Sequence, residues 1–166
     1  MDLLEIIKKR RSIRAYRDKA IPRAVLEKIT DAARFAPTAR GVQPWEFVIV
    51  TDRITLKELG GFIENGPFIA QSAACIAVFC ADTKYYLEDG CAATQNLLLA
   101  AAIEKVGSCW VAGDKKSYCG RVSEMLKAPA SLKLVSLIAL GYPESEQAFR
   151  EQERKDLDKM IHWEKF

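Results

Sequence analysis

Residues 73–81 read AACIAVFCA, nine consecutive positions without a charge, an amide or a hydroxyl. A half-exposed strand would alternate apolar with polar residues; an unbroken run is what a strand needs when it is covered on both faces. EFVIV (46–50) has the same character, and LKLVSLIALGYP (132–143) is a third strong strand, closed by Gly141 and Pro143. SCWVAG (108–113) makes a shorter fourth. Covering such a sheet requires helices, and the remaining sequence offers them. Residues 2–11 have an apolar side of Leu3, Leu4, Ile6 and Ile7, with Asp2 in N-cap position. A second helix opens at Pro22, buries Val25, Leu26, Ile29, Ala32, Ala33 and Ala36, and ends at Pro37. A long Ala/Leu helix over 85–105 is apolar on most of its circumference and so central, and 115–128 is amphipathic up to Pro129. The pattern predicts an α+β fold in which helices enclose a mostly antiparallel or mixed sheet.

The chain has 166 residues, 49% hydrophobic and 28% charged, the composition of one globular domain over 1–166. Its N-terminus lacks the order of a secretory signal, and no apolar run reaches membrane-spanning length. Five cysteines without CxxC spacing, mostly in apolar stretches, are expected to be reduced thiols in a cytoplasmic protein. One histidine, His162, leaves a zinc site or a Ser-His or Cys-His pair short of parts. Neither a P-loop nor GxGxxG after a strand is present.

Charge is concentrated. KKRRSIRAYRD (8–18) holds six cationic side chains, yet 25 bases against 22 acids leave a net charge of only +3. A protein devoted to nucleic acid carries a broader basic excess, so this cluster favours a small anion. A patch for nucleic acid or anionic lipid is the competing reading, and it predicts salt-sensitive binding. Arg10, Arg11 and Ser12 combine fork-shaped cations with a hydroxyl, a suitable set for a terminal phosphate. Two further features stand out: the loop PTARGVQPW (37–45), with donors Thr38 and Gln43 beside Trp45, and the late cationic pair Arg154–Lys155. The tail 144–166 has seven acids and five bases but spaces out Phe149, Leu157, Met160, Ile161, Trp163 and Phe166. That is too little for its own core and too much for a solvated tail, so it is expected to pack on this subunit or on a partner.

RRSIRAY (10–16), followed after the second helix by APTARGVQPW (36–45) and a Val/Ile strand, resembles the nitroreductase family of FMN-dependent oxidoreductases. The likeness continues through VFCAD (78–82), DGCAATQNLLLAA (89–101), GSCWVAG (107–113), LIALGYP (137–143) and RKDLDKMIHWEKF (154–166). The resemblance implies a nitroreductase-like fold and an intertwined homodimer whose C-terminal extension wraps the partner, with FMN at the interface. By the same resemblance, Arg10, Arg11 and Ser12 match the phosphate and ribityl positions, and Arg14 the cation at the flavin's pyrimidine edge. Pro37, Thr38, Ala39 and Gln43 match the loop that lies along the ring from the other subunit. Trp110, Val111, Ala112 and Gly113 match the stretch beside the flavin's dimethylbenzene and N5 side, where small residues would let backbone N–H groups approach. Arg154, with Lys155, matches a late basic position at the phosphate, and Asn65 a pyrimidine-edge contact. Trp45 is expected to be a packing anchor.

The implied activity is NAD(P)H-driven reduction of a nitroaromatic, quinone or similar small acceptor through the flavin in a ping-pong cycle, with no protein acid or base and no metal. A dehalogenase-like or flavin-fragmenting enzyme of the same fold is the alternative. Gly41 departs from the Asn common at that position, and the short chain leaves little room for an inserted lid.

Overall fold

The computed structural model describes residues 2–166, the side chain of Glu146 excepted. In chain order the elements are α1 (Leu3–Lys9), α2 (Arg23–Ala33), β1 (Trp45–Val50), α3 (Arg53–Phe62), β2 (Ala74–Ala81), α4 (Tyr86–Ile103), β3 (Gly107–Ala112), α5 (Cys119–Met125) and β4 (Leu132–Gly141). The four strands form one sheet in the order β1-β2-β4-β3, and every neighbouring pair is antiparallel. The expected α+β architecture is therefore present, with the sheet on its antiparallel side.

The continuous apolar run at 73–81 is explained by position. β2 lies inside the sheet, and its alternate residues enter two different cores. Ala74, Ile76, Val78 and Cys80 pack with Leu26, Ile29, Leu97 and Ala101 of α2 and α4. Cys75, Ala77 and Phe79 face Leu56, Leu59, Ile69 and Val122 from α3, α5 and the 3-10 turn Pro67–Gln71. Trp45 is buried in the first core, as a packing anchor should be. All five cysteines are free thiols. Burial pushes the thiols of Cys75 and Cys80 up to about 12, which leaves them protonated and unreactive near neutral pH. Among the described residues no helix is long and apolar enough to cross a membrane.

Several boundaries differ from the sequence reading. Pro22 occupies the N-cap rather than the first helical position, and Asp2 caps α1 without a side-chain bond. α5 is half as long as the amphipathic pattern suggests. α3 has no counterpart in the sequence reading: its ten residues end in Gly60-Gly61-Phe62, which weakens the periodic signal. Its start is nonetheless marked, because Asp52 Oδ2 accepts from both Thr55 N and Thr55 Oγ1 at 2.8 Å.

Two irregularities set up the edges. The β2–β4 register slips between Val78 and Phe79, so that Val135 is an unpaired bulge residue whose side chain joins the α4-side core. At the other end of β4, Gly141 lies under the ring of Tyr16, and a Cβ there would stand 2.6 Å from Tyr16 Cδ1. Tyr16 donates its hydroxyl to Ile13 O at 2.5 Å, and Arg17 N donates to Tyr142 O at 2.8 Å. The segment 10–17 is thus fastened to the end of β4 by a ring that only glycine admits.

Gly141→Ala is expected to overpack this contact, costing about 1–3 kcal/mol. Urea unfolding should show a lower midpoint at unchanged slope.

Candidate functional site

The segment after α1 runs along the outer edge of β3. Ser12 bridges Ser108 in parallel, and Ile13 N donates to Ser108 O at 2.9 Å. This extended path aims successive side chains alternately: Ile13 goes into the core, while Ser12 and Arg14 face outward. Arg14 Nη1 reaches Ser12 O at 3.4 Å, and its guanidinium carbon lies 5.6 Å from the centre of the Phe68 ring. Arg10, Ser12 and Arg14 all act on the Cys109 thiol: burial raises it, and Arg14, the Ser12 hydrogen bond and Arg10 pull it back. Asn65 is exposed three residues before Phe68, in the connection leaving α3.

Arg11 is the unusual member. Its Nη1 donates to Arg10 O at 2.7 Å, but Nε and Nη2 are enclosed without a hydrogen-bond partner among the described residues. Burial, followed by the charges of Arg154, Arg10 and Arg150, lowers the affinity of its guanidinium for the proton, with Glu151 opposing. Among the described residues, four arginines therefore gather around one acid, Glu151. Arginine stays charged under such pressure, so the cluster stores electrostatic repulsion that an anion would relieve. Arg154 lies close enough for its charge to act on Arg11. Lys155 is exposed, and its side chain makes no hydrogen bond or ion pair among the described residues. Arg150 was not anticipated; it follows an apolar Phe149 in an acid-rich tail, and nothing local marks it.

The loop 37–44 is held by an acid that sequence reasoning passed over. Asp89, buried in the first turns of α4, accepts from Thr38 Oγ1 and from Ala39 N, both at 3.0 Å. Gln43 N then donates to Thr38 Oγ1 at 3.0 Å. Arg40, Gly41 and Gln43 take positive φ values of 57°, 69° and 50°. Gly41 accepts this without strain, which fits glycine at that position. The signal for Asp89 was available: together with Glu88 it is an acid opening an otherwise apolar helix.

Trp110 packs partly buried against the α4-side core and Val111 is buried on the other face, leaving Ala112 exposed at the strand end. The expectation that Gly113 frees a backbone N–H needs correction. Gly113 N donates to the bulge carbonyl of Val135 at 3.0 Å, and a Cβ would stand 2.8 Å from Leu134 Cγ. Its small size serves β4 packing. The Ala112 carbonyl accepts the Tyr118 hydroxyl. Beside it, the Tyr86 hydroxyl donates to Asp114 Oδ1 at 2.6 Å.

These groups do not form one cluster within the chain. Trp45 is level with Cys80, whereas Ser108 is level with Leu140 and Ala74. Six residues along and four strand spacings across, the 37–44 loop and the Arg10–Arg14 segment lie about 20 Å and about 19 Å apart in the two directions. The predicted residues split into two half-sites on opposite edges: Arg10–Arg14 and 110–113 along β3, and the Asp89-held loop before β1.

A four-stranded antiparallel sheet between helical layers, edged by a cluster of arginines suited to an anion, marks out a class of α+β proteins. The family model of that class, described as the nitroreductase family, matches residues 7–74 and 80–142, and the chain belongs to this family. It is 36% identical to an Archaeoglobus fulgidus protein provisionally named NADH dehydrogenase/NAD(P)H nitroreductase, over 99% of both chains. The solved structure of an FMN-dependent nitroreductase from Clostridium difficile R20291 is 29% identical, with a TM-score of 0.88 over 98% of this chain and 99% of that one. Human iodotyrosine deiodinase 1 is 24% identical over 96% of this chain and 68% of its own length.

Asp89→Asn exchanges an acceptor for a donor facing one of the two groups it now holds. A stability loss of about 1–3 kcal/mol is expected. Hydrogen exchange should speed up at the Ala39 and Gln43 amides while the β2 amides stay protected.

Proposed function

We propose that the protein is an FMN-dependent oxidoreductase that takes electrons from NAD(P)H and delivers them to a small acceptor such as a nitroaromatic or quinone. One observation carries this reading: Arg11 holds two enclosed guanidinium nitrogens with nothing to donate to, amid Arg10, Arg150 and Arg154. Enclosed donors of this kind cost free energy unless a partner arrives, and a phosphate monoester offers the matching oxygens. The similarity to the FMN-dependent enzyme from Clostridium difficile supports FMN as the owner of that phosphate.

Bound FMN supplies the two-electron exchange between nicotinamide and acceptor. The chain's own residues bind and orient it. Arg10, Arg11 and Ser12 take the phosphate end, with Arg154 closing from the tail. Arg14, steadied by Ser12 O and the Phe68 ring, holds a fixed positive charge for the electron-rich pyrimidine edge, with Asn65 nearby. Residues 110–113 line the same β3 edge, offering the side chain of Ala112 rather than the committed amide of Gly113. Lys155 contributes long-range charge only.

A homodimer completes the site. Within one chain the Pro37–Gln43 loop cannot reach the Arg10–Arg14 half-site, so a second copy must bring it. Surface apolarity agrees: Leu3, Leu4, Ile7 and Ile103 are exposed, and Trp163 and Phe166 stand 84% and 106% exposed on a tail that leaves its own core after Phe149 and is exposed from Arg150 onward. Wrapping that tail around the partner would bury them. The dehalogenase-like alternative rests on the deiodinase relative, and turnover of an iodinated phenol but not of a nitroaromatic would favour it.

The purified protein should be yellow, or turn yellow with added FMN, and bleach anaerobically with NADH or NADPH; a protein that stays colourless with FMN would sink the proposal. Arg11→Gln should raise the Kd for FMN roughly 10- to 100-fold. Ending the chain at Phe149 should shift the native mass from dimer towards monomer and release the flavin. A truncated protein that stays dimeric and yellow contradicts the role given to the tail.

A further inference from the structure

Beside the Asp89-held loop is a small cleft of about 130 Å³, lined by Ala39, Arg40, Val42, Thr83, Lys84 and Tyr85 above Asp89. Its size excludes a nucleoside but admits a single phosphate group. Its chemistry points the same way. Asp89, the acid at its base, has both oxygens committed to Thr38 and Ala39. Arg40 and Lys84 form no ion pair among the described residues. Two unneutralised cations therefore flank a phosphate-sized space, with the Thr83 side chain lining its wall.

At Arg40 it is the backbone that is fixed, and at Lys84 the side chain. Arg40 adopts φ 57° and ψ 18°, a left-handed conformation disfavoured for a side chain of this kind, and the flanking Ala39 amide is pinned to Asp89. Lys84 Nζ lies 5.2 Å from the centre of the Tyr85 ring, which steadies it at the rim. The cleft is at the opposite corner of the sheet from Arg11, so it is distinct from the arginine cluster on the same chain. In the proposed dimer the Pro37–Gln43 loop meets the partner's flavin, which places this cleft on the approach to the ring.

We infer that Arg40 and Lys84 form a phosphate-reading subsite for the reductant and select NADPH, through its 2′-phosphate, over NADH. NADPH and NADH differ only in that phosphate, so electrostatic selection at this subsite changes binding of one without touching hydride chemistry. The inference rests on the oxidoreductase reading above, and the experiment separates the two.

With flavin-loaded protein, steady-state rates are measured for both nucleotides in the parent and in Arg40→Gln and Lys84→Gln, with flavin content read from the visible spectrum. The parent should prefer NADPH at least tenfold in kcat/KM. Lys84→Gln, outside the flavin-facing loop, should keep its flavin and raise KM for NADPH fivefold or more, with less than a twofold change for NADH; Arg40→Gln should raise KM for NADPH more than KM for NADH. Adenosine 2′,5′-bisphosphate should inhibit the parent better than AMP, an advantage lost in the variants. Equal use of both nucleotides by the parent, or equal losses for both in the variants, overturns the subsite and leaves the oxidoreductase reading standing. Flavin that neither nucleotide reduces overturns both.

Discussion

Burial of β2 and β4 on both faces is the constraint from which the rest follows. Two adjacent strands with no exposed face demand a helical layer above and below, and α2 with α4 and α3 with α5 supply them. Such an interior has no room for polar chemistry, because every unpaired polar group there would be costly. The chemistry is therefore displaced to the edges, where β1 and β3 still have one free side.

Each edge is furnished in its own way. Along β3 a second extended segment, residues 10–17, is laid down by the Ile13–Ser108 bond and by the Tyr16 ring over Gly141. It brings its arginines to the strand end, and the tail adds Arg150 and Arg154. Beside β1 a buried carboxylate on α4 organises a loop with three positive-φ residues. The first edge concentrates positive charge that the chain itself leaves uncompensated; the second spends its one buried negative charge on backbone and hydroxyl donors. The separation of the two edges follows from strand order and register, and under the proposed function it makes one subunit an incomplete binding site.

Much of this was legible from residues alone, for identifiable reasons. The unbroken apolar run at 73–81 signals two-sided burial directly, because no half-exposed strand tolerates it. The RRSIRAY cluster is visible as charge density, and PTARGVQPW as a run of turn residues. α3 was not legible, since two glycines interrupt its period and its cap is a single Asp52–Thr55 pair. Asp89 was visible as one of two acids opening α4, but its task was not, because only the packing of the 37–44 loop against α4 gives it donors.

Sequence by itself determined the α+β class, the four strands, four of the five helices and the chemical character of the cationic cluster, because these depend on local period and local charge. Tertiary structure decided which arginine is stranded, that Gly113 serves packing with its amide already spent, and that the two motifs lie at opposite corners of the sheet. Those outcomes depend on register and strand order, which arise from contacts between residues far apart in the chain and leave no mark in any single stretch of it.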